Sequence, residues 1–225
     1  WGIPFYGPMF GLKLVMPGLQ MEGEPLYDLI ESEGVTLAFG VPTIWMGLLN
    51  YCRDNDKTLT SVRNAVIGGS ALSLSMLQEF DEAHDVNVIQ GWGMTEMSPL
   101  GTSNFLTPEM KKMSKEEKYA VQLKQGRPMY GVELKVVDDS GTELPHDGES
   151  QGHLLVRGPW VLKRYFKAEK DCVDKDGWFD TGDISVLDKD GYMTITDRAK
   201  DVIKSGGEWI SSIDLENAAV GHPEV

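Results

Sequence analysis

Hydrophobic and polar positions divide the chain into a first part of alternating helices and strands and a second part of short strands. In the first part, apolar residues recur at helical spacing in three segments, which are separated by short apolar runs typical of buried strands. The predicted helices cover residues 25–33, 42–53 and 74–84, and the predicted strands cover residues 35–41, 64–67 and 86–90. Pro42 in a first turn and Ser73 as an N-cap mark two helix starts. This alternation predicts a mostly parallel sheet.

The pattern changes from Val132 onward. Residues 133–138 alternate between polar and apolar, and residues 152–157 form a further short strand. The segments 184–187 and 192–196 flank Asp188-Lys189-Asp190-Gly191, which is typical of a β-hairpin. These features predict an antiparallel β section. Before it, residues 107–124 are polar and rich in Lys and Glu, which indicates a surface helix or loop.

Charge and cysteine content exclude some function classes. The chain has 225 residues and a net charge of −14, from 35 acidic and 21 basic residues. A chain with this negative net charge is a poor candidate for binding nucleic acids or anionic membranes, which attract cationic surfaces. Cys52 and Cys172 are far apart and show no zinc-ligand spacing, and two thiols fit a reducing compartment, so we expect a cytoplasmic location. No uninterrupted apolar run reaches membrane-spanning length, so we expect no transmembrane segment.

A glycine-rich segment directly after a predicted strand carries candidate chemistry. In open α/β sheets, ligands bind beyond the carboxyl ends of strands, and glycines allow a close backbone approach. Within residues 90–96, Trp92 offers a flat face for a base, Thr95 a hydroxyl for phosphate, and Glu96 a hard oxygen ligand suited to Mg²⁺. A glycine-rich turn with a packed Trp is the alternative interpretation.

Three further segments could contact a ligand. The small residues 68–71 also follow a predicted strand and could floor a pocket. Asp183 follows a glycine just before a predicted strand, and its carboxylate could bind a ribose diol. Arg198 and Lys204 could meet phosphate or carboxylate groups. Each has an ordinary alternative: a plain loop, a turn aspartate and a solvated charge cluster.

Taken in order, these segments resemble one family. Three motifs resemble those of the adenylate-forming superfamily of acyl-CoA synthetases, adenylation domains and beetle luciferase. They are W-G-M-T-E (92–96), W-F-D-T-G-D (178–183) and D-R-A-K-D-V-I-K-S-G-G-E-W-I-S-S (197–212). The wording G-G-E-W-I-S-S-I-D-L-E-N (206–217) is similar to the medium-chain branch, which includes methylmercaptopropionate ligases. The resemblance spans nearly the whole chain and implies activation of a carboxylic acid by ATP and Mg²⁺, followed by transfer to coenzyme A.

The resemblance also implies roles for individual residues. Those assigned to the nucleotide are Gly69, Ser70 and Ala71 lining the adenine, Trp92 stacking on it, Gly93 and Met94 beside it and the acyl pocket, Thr95 on a phosphate, Glu96 on Mg²⁺, and Asp183 with Arg198 on the ribose. Thr95, Glu96 and Lys204 are the candidate catalytic residues. Lys200 matches the hinge position, and the residues implied for the acyl and CoA channel are Gly206, Gly207, Glu208 and Trp209.

The fold class implied is α/β: part of a layered parallel α/β N-terminal domain, an antiparallel β subdomain, and the start of a small α+β C-terminal lid. The expected boundaries are 1–130, 131–199 and 200–225. The chain opens on apolar residues without an initiator Met, and it lacks the family's phosphate loop and its C-terminal catalytic Lys. We therefore expect an internal piece that is inactive alone. The alternatives left open are an adenylation domain that loads a carrier protein and a non-catalytic nucleotide-binding fragment. A homodimer is also left open.

Overall fold

The computed structural model describes residues 2–200, together with the backbone of residues 203–205 and 208–210. Backbone contacts divide the chain into two compact units. Unit 1 consists of the residues up to Met94 and of Phe105–Leu123. Unit 2 consists of Thr95–Asn104 and of the residues from Lys124 onward. The predicted division at residues 131 and 200 stays a prediction.

Unit 1 combines helices with a parallel sheet. Its elements are α1 (Ile3–Tyr6), α2 (Gly23–Glu33), β1 (Leu37–Gly40), α3 (Pro42–Asp54), β2 (Asn64–Ile67), α4 (Leu74–His84), β3 (Asn87–Gly93) and α5 (Lys115–Gln122). The strands lie in the order β1-β2-β3 and are parallel, with Ala38 opposite Ala65 and Val66 opposite Ile89. The predicted parallel α/β arrangement is therefore confirmed.

Local signals explain where the helices of unit 1 begin and end. Pro42 occupies the first turn of α3, where its missing N–H costs no hydrogen bond. The Ser73 side chain accepts a hydrogen bond from the Met76 backbone N–H and so caps α4. Gly34 ends α2 in the left-handed region, at φ 63°. Within the described part of the chain, every helix is too short or too polar to cross a lipid bilayer.

One hydrophobic core fixes the helices of unit 1 to its sheet. Leu48 of α3 and Phe80 of α4 are fully buried in it, beside Ile67 of β2. The Trp45 and Phe80 rings meet edge to face with centroids 5.3 Å apart. Burying a side chain of this size contributes roughly 1.5–3 kcal/mol. The core therefore holds the carboxyl ends of the strands in place.

Helix α5 resolves the segment that the sequence left as a helix or a loop. The Ser114 hydroxyl accepts a hydrogen bond from the Glu117 N–H, and the Glu117 carboxylate accepts one from the Ser114 N–H. This capping box satisfies two backbone donors at the helix start. The Ser-x-x-Glu spacing was readable in the sequence, so the helix could have been predicted outright.

Unit 2 is built from β-strands. They are β4 (Leu100–Ser103), β5 (Arg127–Pro128), β6 (Glu133–Val137), β7 (Gly152–Arg157), β8 (Phe179–Leu187), β9 (Met193–Arg198), β10 (Ile203–Ser205) and β11 (Glu208–Ile210). Strands β6-β7-β8-β9 form an antiparallel sheet in that order. Strands β4 and β5 form one antiparallel pair, and β10 and β11 form another. The predicted antiparallel section is confirmed.

The β8–β9 hairpin has the predicted turn, but β8 begins earlier than expected. The Asp188 carboxylate accepts hydrogen bonds from the backbone N–H groups of Asp190 and Tyr192, which fixes the turn. We expected the strand to begin near Ile184, whereas β8 already begins at Phe179. Asp183 therefore lies inside a strand and not in the turn before one. The sequence also predicts a helix over residues 216–220, and these lie outside the described residues.

Candidate functional site

The loop that follows β2 closely approaches the last part of β3 in unit 1. A Cβ atom on Gly68 would lie 3.0 Å from the Gly91 carbonyl oxygen, a separation that few side chains tolerate. Gly69 adopts φ 88°, and a Cβ there would meet Val41 at 3.2 Å. A larger side chain would have to displace a neighbour at either position, and the φ of Gly69 adds backbone strain, so both positions favour glycine. The exposed Ser70 and Ala71 follow directly, so small residues lie at the carboxyl edge of this sheet. Their role as a ligand floor stays a prediction.

Trp92 lies at the end of β3 and is only 7% exposed. Its indole is thus mostly covered by protein in this structure. Stacking on an adenine base would require a movement that opens one face of the ring. The stacking role stays a prediction, as do the roles of the exposed Gly93 and the half-buried Met94 that follow.

Thr95 and Glu96 begin unit 2 in a short 3₁₀ turn, Thr95–Met97. Met97 is fully buried and anchors the turn, whereas Thr95 is exposed and Glu96 is half-buried. The hydroxyl of Thr95 and the carboxylate of Glu96 can therefore reach a ligand while the turn stays fixed.

Glu96 is held by a loop that lies far from it in the sequence. The Tyr165 hydroxyl donates a hydrogen bond of 2.9 Å to Glu96 Oε1, and the Leu162 N–H donates one of 2.8 Å to the Glu96 carbonyl oxygen. The bond to Glu96, reinforced by burial, raises the pKa of the Tyr165 phenol above its ordinary value. Tyr165 therefore remains protonated and a donor at neutral pH.

Asp183 and Arg198 face each other across β8 and β9. They are paired in the strand register, and Arg198 Nη1 lies 2.8 Å from Asp183 Oδ1. Asp183 is 1% exposed, whereas about half of the Arg198 side chain reaches solvent. A buried carboxylate needs a charged or hydrogen-bonding partner, and the guanidinium supplies one. The structure thus brings together the two residues predicted for the ribose.

The backbone around Asp183 explains why Thr181 and Gly182 precede it in the D-T-G-D motif. Gly182 adopts φ 72°, a conformation that favours glycine. The β7–β8 register shifts between His153 and Leu155, in the part of β7 that faces this segment. The Thr181 hydroxyl donates to the Leu154 carbonyl and accepts from the Asp183 N–H. Irregular strand positions of this kind re-aim side chains, and this one directs a buried carboxylate.

The remaining predicted residues follow β9. The Ala199 N–H donates to the Gly182 carbonyl at 2.9 Å, and the exposed Lys200 comes next, at the predicted hinge. Lys204 pairs with Trp209 in the antiparallel β10–β11 backbone ladder, and Ser205 pairs with Glu208. Gly206 and Gly207 lie outside the described residues. The roles of these residues stay predictions.

The predicted residues thus fall into two groups within the described chain. Gly69, Ser70, Ala71, Trp92, Gly93 and Met94 belong to unit 1, and Thr95, Glu96, Asp183 and Arg198 belong to unit 2. Sequence reasoning missed Tyr165, because its partner lies 69 positions away and no local motif marks it. It also missed Thr181, although a Thr two residues before a candidate Asp was a readable signal.

A family comparison fits this geometry. The model of the family described as "AMP-binding enzyme" matches residues 2–166. The chain is 52% identical over its full length to a 3-methylmercaptopropionyl-CoA ligase of Ruegeria lacuscaerulensis, of which it covers 42%. It is 50% identical, again over its full length, to a medium-chain-fatty-acid–CoA ligase of Ectopseudomonas oleovorans, of which it covers 41%. The chain therefore spans about two fifths of the length of these curated relatives.

A solved relative shares the fold. The o-succinylbenzoate CoA synthetase of Bacillus subtilis, in complex with an acyl-adenylate intermediate, matches 98% of this chain with a TM-score of 0.81 and 29% identity, and 43% of that chain is covered. The same synthetase in complex with ATP and a magnesium ion matches 90% of this chain with a TM-score of 0.71 and 30% identity, and 39% of that chain is covered. With the family model matching well over half of its residues, the chain belongs to the AMP-binding enzyme family.

Proposed function

We propose that the protein containing this chain is an AMP-forming acyl-CoA synthetase. It converts ATP, a carboxylic acid and CoA into acyl-CoA, AMP and pyrophosphate through an acyl-adenylate. The proposed acid is a short- or medium-chain fatty acid, since the two curated relatives are named for a short thioether acid and for medium-chain acids. A cytoplasmic location and a homodimer are further proposals, which fractionation and light scattering of the full-length protein test.

The observation that carries this proposal is the buried Asp183 carboxylate, joined to Arg198 at 2.8 Å in the same unit as Thr95 and Glu96. A fixed carboxylate is the group that accepts hydrogen bonds from ribose hydroxyls in nucleotide sites. The Arg198 guanidinium supplies the opposite charge beside it. The solved synthetase with an acyl-adenylate, which has the same fold, supports an adenylate as the ligand.

In the proposed first step, an oxygen of the substrate carboxylate attacks the α-phosphorus of ATP, and pyrophosphate leaves. A carboxylate alone is a poor acyl donor because its leaving group would be oxide, so adenylation supplies a better one. We assign Thr95 to a phosphate and Asp183 to the ribose. Mg²⁺, when bound, neutralises phosphate charge, and the half-buried Glu96 fits it, because Mg²⁺ takes one or two carboxylates together with substrate phosphates.

In the proposed second step, the CoA thiolate attacks the acyl carbonyl, and AMP leaves with the bonding electron pair. We propose that the same residues serve both steps, with a lid turning about Lys200 between them. Lys204 and the channel residues 206–209 would then approach the thioester-forming centre. Gly69, Ser70 and Ala71, with Trp92 stacked on the base, would hold the adenine throughout.

Two half-reaction assays on the full-length protein test the proposal. Exchange of labelled pyrophosphate into ATP, run over a panel of acids from C3 to C14, measures adenylation. Loss of free CoA thiol measures thioester formation. We expect acid-dependent exchange with a maximum at short or medium chain length, and acyl-CoA formation with the same acids.

Other outcomes distinguish the alternatives. Exchange without any use of free CoA, together with transfer to a carrier-protein thiol, would favour an adenylation domain. AMP binding without exchange for any acid would favour a non-catalytic nucleotide-binding protein. Either result would reject the acyl-CoA synthetase assignment.

A further inference from the structure

The loop between β7 and β8 contacts the Thr95–Leu100 segment at three points, all within unit 2. The Trp160 indole N–H donates to the Leu100 carbonyl at 3.1 Å. The Leu162 N–H donates to the Glu96 carbonyl at 2.8 Å. The Tyr165 hydroxyl donates to the Glu96 carboxylate at 2.9 Å. The loop therefore holds both the backbone and the side chain of Glu96.

The loop itself is fixed by internal contacts. Arg164 and Asp171 form an ion pair at 2.7 Å. The Cys172 N–H donates to the Lys163 carbonyl at 2.9 Å, which closes the loop at its base. The Ala168 N–H donates to the Tyr165 carbonyl at 3.1 Å and fixes the turn around the tyrosine. The backbone that carries Tyr165 is thus held in place by contacts within the loop.

We propose that Tyr165 is a positioning residue for the metal-binding carboxylate of Glu96. Among the residues that the structure describes, Tyr165 is the only side chain that donates to this carboxylate. Its bond engages Oε1, and we assign the second oxygen, Oε2, to the metal. A free glutamate loses side-chain entropy when it binds a metal. The hydrogen bond from Tyr165 restricts the Glu96 side chain before the metal binds, as outer-sphere partners of metal ligands do. The inference rests on the proposed function, in which Glu96 binds Mg²⁺.

The test uses the full-length protein and Tyr165→Phe, which removes only the hydroxyl. Mn²⁺, a paramagnetic substitute for Mg²⁺, is titrated in the presence of a non-hydrolysable ATP analogue, and free Mn²⁺ is measured by electron paramagnetic resonance. We expect the Kd for Mn²⁺ to rise roughly 3- to 10-fold, because the variant loses one hydrogen bond to a metal-binding carboxylate. Tyr130→Phe is the matched control, because Tyr130 is 99% exposed in this chain, and we expect no change.

Two further measurements separate the ways in which the proposal can fail. Glu96→Gln should weaken Mn²⁺ binding more than Tyr165→Phe does. If Glu96→Gln weakens it and Tyr165→Phe does not, Tyr165 has no positioning role while the proposed function stands. If neither variant weakens it, Glu96 is not the metal ligand and both assignments fail. AMP affinity without metal should be unchanged in Tyr165→Phe, and an equal loss there would show a merely structural role.

Discussion

At the scale of single residues, Asp183 is the sharpest test of the nucleotide site. Asp183→Asn keeps the shape and removes the charge that Arg198 neutralises at 2.8 Å. We expect the free energy of unfolding to fall by about 1–3 kcal/mol, since a buried charged partner is lost but Arg198 remains solvated. We also expect the preference for ATP over 2′,3′-dideoxy-ATP to disappear, because the neutral amide is a weaker acceptor for ribose hydroxyls.

Urea unfolding and competition binding with the two nucleotides measure these effects in the full-length protein. Asp190→Asn is the control, because Asp190 lies in the β8–β9 turn with an exposed side chain. A variant that binds both nucleotides as the wild type does would remove Asp183 from the ribose site.

His84 gives a pH prediction of its own. It is buried near the end of α4, and its Nδ1 accepts a hydrogen bond from the Leu59 N–H at 3.3 Å. Burial lowers the pKa of His84, with Glu79 opposing the shift. The unfolded state therefore binds more protons below about pH 6.5, so stability is full above that pH and falls as the pH drops toward the folded pKa. One proton changes the free energy of unfolding by at most about 1.4 kcal/mol per pH unit.

His84→Asn keeps an acceptor for the Leu59 N–H and removes the titration. We expect this variant to lose the fall in urea midpoint between pH 6.5 and 5.5 that the full-length wild type shows. His146→Asn serves as a control, since His146 is exposed. An identical pH profile in His84→Asn and the wild type would contradict the prediction.

Residue-scale features were predictable from the sequence only where a motif carried them. Sequence motifs, taken in their order along the chain, identified Asp183, Arg198 and Glu96 as candidates. The structure pairs Asp183 with Arg198 through the β8–β9 register. Tyr165 was not predictable, because its contact with Glu96 depends on how a loop of irregular backbone is braced. Burial was also invisible to the sequence, as Trp92 illustrates: a ring expected to offer an open face is 7% exposed.

At the scale of elements, hydrophobic periodicity predicted α2, α3, α4 and the parallel strands of unit 1 to within a few residues, but it did not predict α1 and left α5 open. It missed the first half of β8, because Thr181 and Asp183 are buried polar residues that break the alternation of apolar positions. Their polarity is compensated by the Leu154 carbonyl and by Arg198. These partners lie on neighbouring strands, and the local sequence does not predict which strands pair.

The capping box of α5 supplies a prediction at this scale. Ser114→Ala removes the acceptor for the Glu117 N–H, and we expect the free energy of unfolding to fall by about 0.5–2 kcal/mol. Ser32→Ala is the control, because Ser32 lies inside α2 with an exposed side chain, and alanine favours a helix interior. Urea unfolding of the full-length variants measures both, and an equal response would reject the capping role.

At the scale of the whole molecule, several segments expose large apolar side chains. Most large apolar side chains between Phe5 and Met21 are exposed, with Leu19 at 95%. Leu37 and Phe39 on β1 are also half-exposed, although parallel strands are normally covered on both faces. Apolar surface of this extent favours association with other apolar groups.

The relatives are more than twice as long as this chain, so we expect additional protein to cover these side chains in the full-length protein. The 225-residue chain, produced alone, should therefore bind more 8-anilinonaphthalene-1-sulfonate per mole than the full-length protein does, and it should self-associate as its concentration rises. We also expect it to show no acid-dependent pyrophosphate exchange, because it spans only about two fifths of the length of these relatives. Dye fluorescence, light scattering and the exchange assay measure the three effects. Exchange by the 225-residue chain alone would show that the catalytic apparatus is already complete within it, and dye binding no greater than that of the full-length protein would show that its apolar side chains need no further cover.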